Sequence, residues 1–155
     1  MSNNDTFQRI RYTFSLDINA LIDIFALADV TVSAAQVEAW MSPDTSDGAE
    51  LSDTDLASFL NGFIALKRGK NEGDSPKPER TLNNNKVLQK LRIALNLKAD
   101  DTLEILRLSD IHLSKHELSA LFRKADNKHF RACSDELLQG FLLGVYKSLQ
   151  AAEGE

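Results

Sequence analysis

Three histidines and one cysteine are the side chains with the most reactive chemistry in this 155-residue chain. His112 and His116 are four residues apart, a spacing that places two metal ligands on one face of a helix. Cys133 and His129 would form a thiolate–imidazole nucleophile if the fold placed them together. However, Ser114 is a predicted helix N-cap between the first two histidines, and nothing in the sequence places His129 beside the cysteine. A metal-dependent or cysteine-dependent enzyme is therefore the weakest hypothesis, and no catalytic residue, metal or cofactor is predicted.

A second candidate site is a polar triplet that occurs twice, each time as asparagine, glutamine and arginine spaced by four and three residues. On a helix this spacing places the three side chains on one face. Amide and guanidinium donors from two such faces would hold a phosphate or a carboxylate. We favour a structural alternative, in which the asparagines cap the first helix, and the glutamine and arginine bond helix-end carbonyls of the neighbouring unit. The residues are Asn4, Gln8, Arg11, Asn85, Gln89 and Arg92.

The triplet belongs to an internal repeat that covers most of the chain. At an offset of 81 residues, NNDTFQRI aligns with NNKVLQKL, and Ser33 aligns with Ser114. At an offset of 82, LSDTDLASFLNGF aligns with CSDELLQGFLLGV, which keeps Gly62 with Gly144. The chain therefore consists of two copies of a unit of about 65 to 70 residues. The expected boundaries are 1–68 and 83–150 for the repeats, 69–82 for a linker rich in glycine, proline and charge, and 151–155 for a frayed tail.

Helical periodicity in both copies predicts an all-α fold of two tandem four-helix repeats packed with pseudo-two-fold symmetry. In helix 1 of the first copy, Phe7, Ile10 and Phe14 recur at the spacing of one apolar helix face. No segment has the alternation of a strand. The remaining elements are helix 2 near 19–28 and 100–109, helix 3 after the N-caps Ser33 and Ser114, and helix 4 after Ser52 and Ser134.

Each fourth helix contains a glycine, Gly62 or Gly144, although glycine costs a helix up to ~1 kcal/mol relative to alanine. Close approach of another helix would offset that cost. We expect helix 4 of one unit to pack against helix 4 of the other across the pseudo-two-fold axis. The side chains expected in that seam are Phe59, Phe63, Phe141 and Val145.

The net charge of −5 disfavours a general nucleic-acid binder, but the charge is distributed unevenly. Residues 1–66 carry two basic and ten acidic side chains, whereas residues 67–98 carry nine basic and three acidic ones. The basic segment 67–98 would either pair with the acidic first half, which we favour, or contact a phosphate backbone. The phosphate contacts in the second case are Lys67, Arg68, Lys70, Arg80, Lys86 and Lys90, together with Arg92.

Three long stretches resemble one family of proteins. They are FLNGFIALKRGKNE, PKPERTLNNNKVLQKLRIALNLKADD and FRACSDELLQGFLLG, and they include the NNN-x-VL-x-KLRIA block that opens the second copy. In these stretches, in length and in its two tandem copies, the chain is similar to the YehS-like family of small bacterial proteins. The resemblance covers essentially the whole chain and implies a soluble cytoplasmic protein, with no assigned activity, substrate or ligand.

The sequence as a whole favours a non-enzymatic binding module in the cytoplasm. It has no nucleotide-binding glycine loop, no G-x-S-x-G and no C-x-x-C motif. No apolar run approaches the ~20 residues of a membrane span, and the N-terminus lacks the pattern of a signal peptide. The expected partner is another protein or a second copy of the chain, and a nucleic-acid-associated regulator is the alternative.

Overall fold

The structure is a computed structural model that describes residues 1–42, 49–70 and 76–154. Across these ranges it contains eight α-helices and no strand, so the predicted all-α fold is confirmed. Within the same residues, no helix is both long enough and apolar enough to span a bilayer. The helices are α1 (Asn3–Phe14), α2 (Ile18–Leu27), α3 (Ala34–Met41), α4 (Asp53–Arg68), α5 (Asn84–Ala94), α6 (Ala99–Leu108), α7 (Lys115–Ala120) and α8 (Asp135–Glu153).

The chain divides into two units of four helices each, Met1–Leu82 and Asn83–Glu155. Of the predicted linker 69–82, residues 71–75 lie outside the described residues. The end of that segment belongs to the first unit, because the backbone N–H of Leu82 donates a 3.0 Å hydrogen bond to Asp53 at the start of α4. Helix α8 continues to Glu153, into the segment 151–155 that the sequence predicts as a frayed tail. The pseudo-two-fold pairing of the units remains a prediction.

Serine residues begin the third and fourth helices of both units. Ser33 and Ser114 accept hydrogen bonds from backbone N–H groups three residues on, at 3.1 and 3.0 Å. Ser52 and Ser134 do the same for α4 and α8, each at 3.1 Å. These bonds satisfy N–H groups that have no partner inside a helix, which is why serine recurs at these positions. The reciprocal bond of a capping box forms at α7, where Glu117 accepts from the Ser114 N–H at 3.0 Å.

The first two helices of each unit end on left-handed residues at equivalent positions. Ser15 and Asn96 have φ of 54°, and Asp29 and Asp110 have φ of 61° and 58°. Asparagine and aspartate tolerate this conformation better than most residues. In each case the backbone N–H of the next residue donates a hydrogen bond to the carbonyl five residues before it, as Val30 does to Phe25 at 3.0 Å. The two aspartates are therefore accounted for by the helix ends they form.

Each unit has its own apolar core. In the first unit the core is aromatic, because Phe59 lies edge-on to Phe7 at a centroid distance of 4.9 Å and 5.4 Å from Phe25. Trp40 is 5% exposed and lies 5.5 Å from Phe25. Such pairs contribute roughly 0.5–1.5 kcal/mol each beyond area burial. The second core is mainly aliphatic around Phe141, with Leu88, Leu91, Leu103, Leu106, Leu118, Leu121, Leu138, Leu142 and Val145 buried.

Gly62 and Gly144 allow close helix packing, but the predicted helix partner is wrong. A Cβ atom on Gly62 would overlap the backbone carbonyl of Ile24 in α2. A Cβ atom on Gly144 would overlap that of Ile105 in α6. The glycines therefore serve the α2–α4 and α6–α8 contacts inside each unit, and not a seam between two fourth helices. Among the residues assigned to that seam, Phe59 and Phe63 pack on rings of their own unit.

Candidate functional site

The first asparagine of the predicted polar triplet is buried in each unit and makes three hydrogen bonds. The Asn4 amide donates to the carbonyls of Trp40 at 3.1 Å and Ala49 at 2.9 Å, and its oxygen accepts from the N–H of Leu51 at 2.9 Å. Asn4 thereby ties α1 to the end of α3 and to the segment before α4. In the second unit, Asn85 bonds Leu121, Arg131 and Cys133 in the same way, at 2.9, 2.8 and 2.9 Å.

Asn4 and Asn85 are therefore structural, although the predicted capping role is wrong. The N-caps of α1 and α5 are Ser2 and Asn83, so the two asparagines lie inside the first turn of the helices. Because both amide hydrogens of Asn4 are donated to carbonyls, this residue has no donor left for an anion.

A second asparagine in each unit was missed by the sequence analysis. The Asn3 amide donates to the Asp53 carboxylate at 2.7 Å and to the Leu51 carbonyl at 3.0 Å. Asn84 makes the same pair of bonds with Asp135 and Cys133, at 2.8 and 3.1 Å. The bond from Asn3, followed by that from Leu82, lowers the pKa of Asp53. The sequence did contain a signal for this residue, because the dipeptide Asn-Asn occurs at the start of both repeats. The polar triplet includes only the second asparagine of each dipeptide.

Gln8 and Arg11 of the first unit bond carbonyls of their own unit, whereas the sequence analysis assigned them to carbonyls of the neighbouring one. Gln8 Nε2 donates to the Trp40 carbonyl at 3.2 Å, and Arg11 Nε donates to the Leu16 carbonyl at 3.1 Å. The Trp40 carbonyl is in the last turn of α3, and the Leu16 carbonyl follows the end of α1. The two side chains therefore supply hydrogen-bond donors at the C-terminal ends of helices. All three side chains of the triplet in the first unit therefore make hydrogen bonds to the backbone of that unit.

Gln89 and Arg92 of the second unit are placed differently. Gln89 is exposed, and the Arg92 guanidinium lies over the Phe122 ring at 4.3 Å from its centroid. The Nε atom of Arg92 is buried, and no acceptor within the described residues bonds it. Burial lowers the pKa of Arg92. Phe122 was missed as a site residue, although the repeat shows a signal, because Met41 stands at the equivalent position in the first unit.

The basic residues of segment 67–98 differ in their surroundings. Lys67 lies over the rings of Phe14 and Phe63, with Nζ 5.9 and 5.7 Å from their centroids. Lys70 forms an exposed ion pair with Asp29 at 3.1 Å, so part of the basic segment pairs with the acidic first half. Of the others, Arg68, Arg80 and Lys86 are exposed, and Lys90 and Arg92 are half-buried. They are divided between the two units.

The histidines of the candidate metal pair and the cysteine have separate surroundings. His112 precedes α7 and lies 3.0 Å from the Asp110 carboxylate, whereas His116 is inside that helix. No group of three or more histidine, cysteine or acidic side chains suited to a metal ion occurs in the described part of the chain. Burial raises the pKa of the Cys133 thiol from 9.0 to about 11, which leaves it protonated at neutral pH.

The two-unit architecture with its repeated asparagine contacts defines a tandem helical repeat protein, and comparison with known proteins identifies the family. A family described as "Protein of unknown function (DUF1456)" matches residues 3–69 and again residues 84–149. The chain belongs to this family, and the two matches confirm the tandem repeat. It is 42% identical over 147 residues to "Uncharacterized protein YehS" of Escherichia coli (strain K12), which covers 94% of both chains. No solved structure matches significantly.

Proposed function

We propose that the protein is a non-enzymatic binding module that contacts a second copy of the same chain through the exposed faces of α1 and α5. Its polar and ionisable groups favour a scaffold over a reactive site, since the asparagines hold helices together and the cysteine is a buried thiol. A binding role then depends on surface side chains.

One observation carries this proposal. Among the described residues, six large hydrophobic side chains are exposed, and only one pair of them occupies equivalent positions in the two repeats. That pair is Tyr12, which is 68% exposed on α1, and Ile93, which is 48% exposed on α5. Single exposed hydrophobic residues are ordinary, whereas an exposed one at the same position of both copies indicates a shared surface role. The other four are Leu66, Leu108, Leu143 and Leu149.

Charge favours a second copy as the partner. A basic residue lies three positions before each exposed side chain, Arg9 before Tyr12 and Lys90 before Ile93. Residues 1–82 carry seven basic and thirteen acidic side chains, whereas residues 83–155 carry eleven and ten. The acidic first unit of one copy is therefore complementary to the cation-flanked face of α5 in another.

Sedimentation velocity tests this assignment. We expect the wild-type protein to associate reversibly between ~1 μM and ~1 mM, the range that corresponds to about 8 to 4 kcal/mol of binding free energy. The double variant Tyr12→Ser, Ile93→Ser should remain monomeric. The matched control is Leu66→Ser, which removes a side chain of similar exposure, 49%, from α4 and should associate like the wild type. A wild-type monomer over the whole range would refute self-association.

Contact with a nucleic-acid backbone is a second candidate, favoured by the composition of α5. That helix contains Lys86, Lys90 and Arg92 and no acidic residue. Against it, Lys70 pairs with Asp29 and the basic residues are divided between the two units. A gel-shift assay with mixed RNA and DNA at ~50 mM salt decides this, because backbone binding is strongest at low salt. The absence of a shift would exclude this candidate.

A further inference from the structure

The equivalent arginines of the two repeats make different contacts. In the first unit, Arg11 Nε donates to the Leu16 carbonyl at 3.1 Å. In the second unit, the equivalent Arg92 lies over Phe122, and none of the described residues accepts a hydrogen bond from its Nε. The residue at the position of Phe122 in the first unit is Met41, which has no aromatic face. The Phe122 ring therefore holds the guanidinium in a place where none of the described residues accepts from its Nε.

The end of α7, the usual acceptor for a nearby arginine, is already satisfied. The carbonyls of Leu118 and Ser119 accept from the N–H groups of Leu121 and Phe122, each at 3.1 Å. The Ala120 carbonyl accepts from Arg131 N–H at 3.1 Å, and that of Leu121 accepts from the Asn85 amide at 2.9 Å. Each of these carbonyls therefore already has a donor from the second unit itself, and none of them bonds Arg92 Nε.

Two further donors are close in the chain to Phe122 or Arg92. Arg123 follows Phe122 directly in the chain, and its buried Nε also has no acceptor among the described residues. Gln89, one helical turn before Arg92, is exposed, whereas its equivalent Gln8 bonds Trp40. The acidic residue of α7, Glu117, is held by the N–H of Ser114 at 3.0 Å and by Arg131 at 3.4 Å.

We propose that Arg92, with Gln89 and Arg123, forms a binding site for an oxyanion, a carboxylate or a phosphate, beside the ring of Phe122. A partly buried guanidinium without a counterion is costly, and an oxyanion would supply the missing charge and hydrogen-bond acceptors. The planar donor fork of arginine fits both anions, and stacking on the ring fixes its orientation. This site uses side chains other than Tyr12 and Ile93, although Gln89 lies one helical turn from Ile93 on α5.

Nuclear magnetic resonance of the arginine side chains tests the proposal. Inorganic phosphate and succinate are titrated separately into the full-length protein, with sodium chloride keeping the ionic strength constant. We expect one or both anions to shift the Nε–H signals of Arg92 and Arg123 with a Kd on the order of 1 mM. The anion that binds more tightly identifies the preferred class of ligand. If neither shifts these signals up to ~20 mM, about twentyfold above that Kd, the proposal is wrong.

Matched variants assign the effect to this site. Arg92→Gln should lose the shift of the Arg123 signal, whereas Arg11→Gln removes the equivalent arginine of the first unit and should retain it. Phe122→Met copies the first unit, preserves an apolar side chain and should weaken the affinity severalfold. Retention of binding in Arg92→Gln, or equal loss in Arg11→Gln, would overturn the assignment.

Discussion

The side-chain oxygen of Asn4 accepts a 2.9 Å hydrogen bond from the backbone N–H of Leu51, although the two residues are 47 positions apart. With the amide bonds to Trp40 and Ala49, this contact joins three segments of the first unit. Asn85 repeats the arrangement with Cys133. The two consecutive asparagines at the start of each repeat thus connect the first helix of the unit to its third helix and to the segment before its fourth helix.

Replacing Asn4 should strongly destabilise the first unit. Asn4→Ala removes three hydrogen bonds and leaves one buried N–H and one carbonyl without this partner, since Gln8 still bonds the Trp40 carbonyl. A buried unsatisfied group costs about 1–3 kcal/mol, so we expect a loss of about 2–4 kcal/mol in the free energy of unfolding, measured by urea denaturation. The control is Asn19→Ala, an exposed substitution on α2. Equal stability of the two variants would contradict the structural role of Asn4.

Adding a methyl group to Gly62 or Gly144 should destabilise the protein despite the higher helix propensity of alanine. The new Cβ would overlap a backbone carbonyl, that of Ile24 or Ile105, which cannot rotate away. We expect Gly144→Ala to lower the free energy of unfolding by about 1–3 kcal/mol, as is typical of overpacking. Thermal unfolding followed by circular dichroism measures this.

Gly140 provides the control on the same helix. A Cβ there would meet the terminal methyl of the Ile111 side chain, which is able to move. Gly140→Ala should therefore cost less than Gly144→Ala. The reverse order would mean that the contact of α6 with α8 is not the reason for the glycine.

Cys133 should be unreactive in the native protein. With a pKa of about 11, the thiol is almost wholly protonated at pH 8, and the thiolate is the reactive form. We expect labelling by a thiol-specific disulfide reagent to be slow in the native state and fast in urea. Fast native labelling at pH 8 would show an ionised, accessible thiol.

The same shift predicts a pH dependence of stability. The pKa of the folded state lies above the ordinary value of 9.0, so the contribution of the neutral thiol is complete below pH 9 and is lost as the pH rises towards about 11. The free energy of unfolding of the wild type should therefore fall more steeply over this interval than that of Cys133→Ala. If the free energies of unfolding of the two proteins had the same pH dependence between pH 9 and 11, the raised pKa of Cys133 would be refuted.

Asp53 should stabilise the first unit in its ionised form. Its pKa is lowered chiefly by the hydrogen bond from Asn3, so this contribution is present above the ordinary pKa of 3.8 and is lost as the pH falls through the lower folded-state value. We expect Asp53→Asn to reduce the free energy of unfolding by about 1 kcal/mol at neutral pH, with the difference disappearing in acid. Asp23→Asn, an exposed change on α2, should be neutral.

The sequence predicted the helices and the repeat because these depend on local patterns. The spacing of Phe7 and Ile10 indicates a buried helix face, and both are fully buried. For Gly62 the same patterns indicated close packing, but not which helix comes close, since periodicity describes one helix at a time. The spacing of Asn4 with Gln8 showed a shared face, whereas their hydrogen-bond partners lie 32 to 47 residues away and have no local signal.

The different contacts of Arg11 and Arg92 could not be predicted from the sequence either. The two residues are identical and have equivalent positions, so the triplet predicts equal roles for them. Their surroundings differ because Phe122 replaces Met41 in a neighbouring helix end, and the consequence of that exchange is visible only when the contacts are known.

The single tryptophan of the chain lies in the aromatic core of the first unit, 6.2 Å from the Phe7 ring. Its fluorescence therefore reports the melting of one half of the molecule, while far-ultraviolet circular dichroism reports both halves. Overlaying the two signals during one denaturation shows, without any added label, whether the duplicated halves lose their structure together or in sequence.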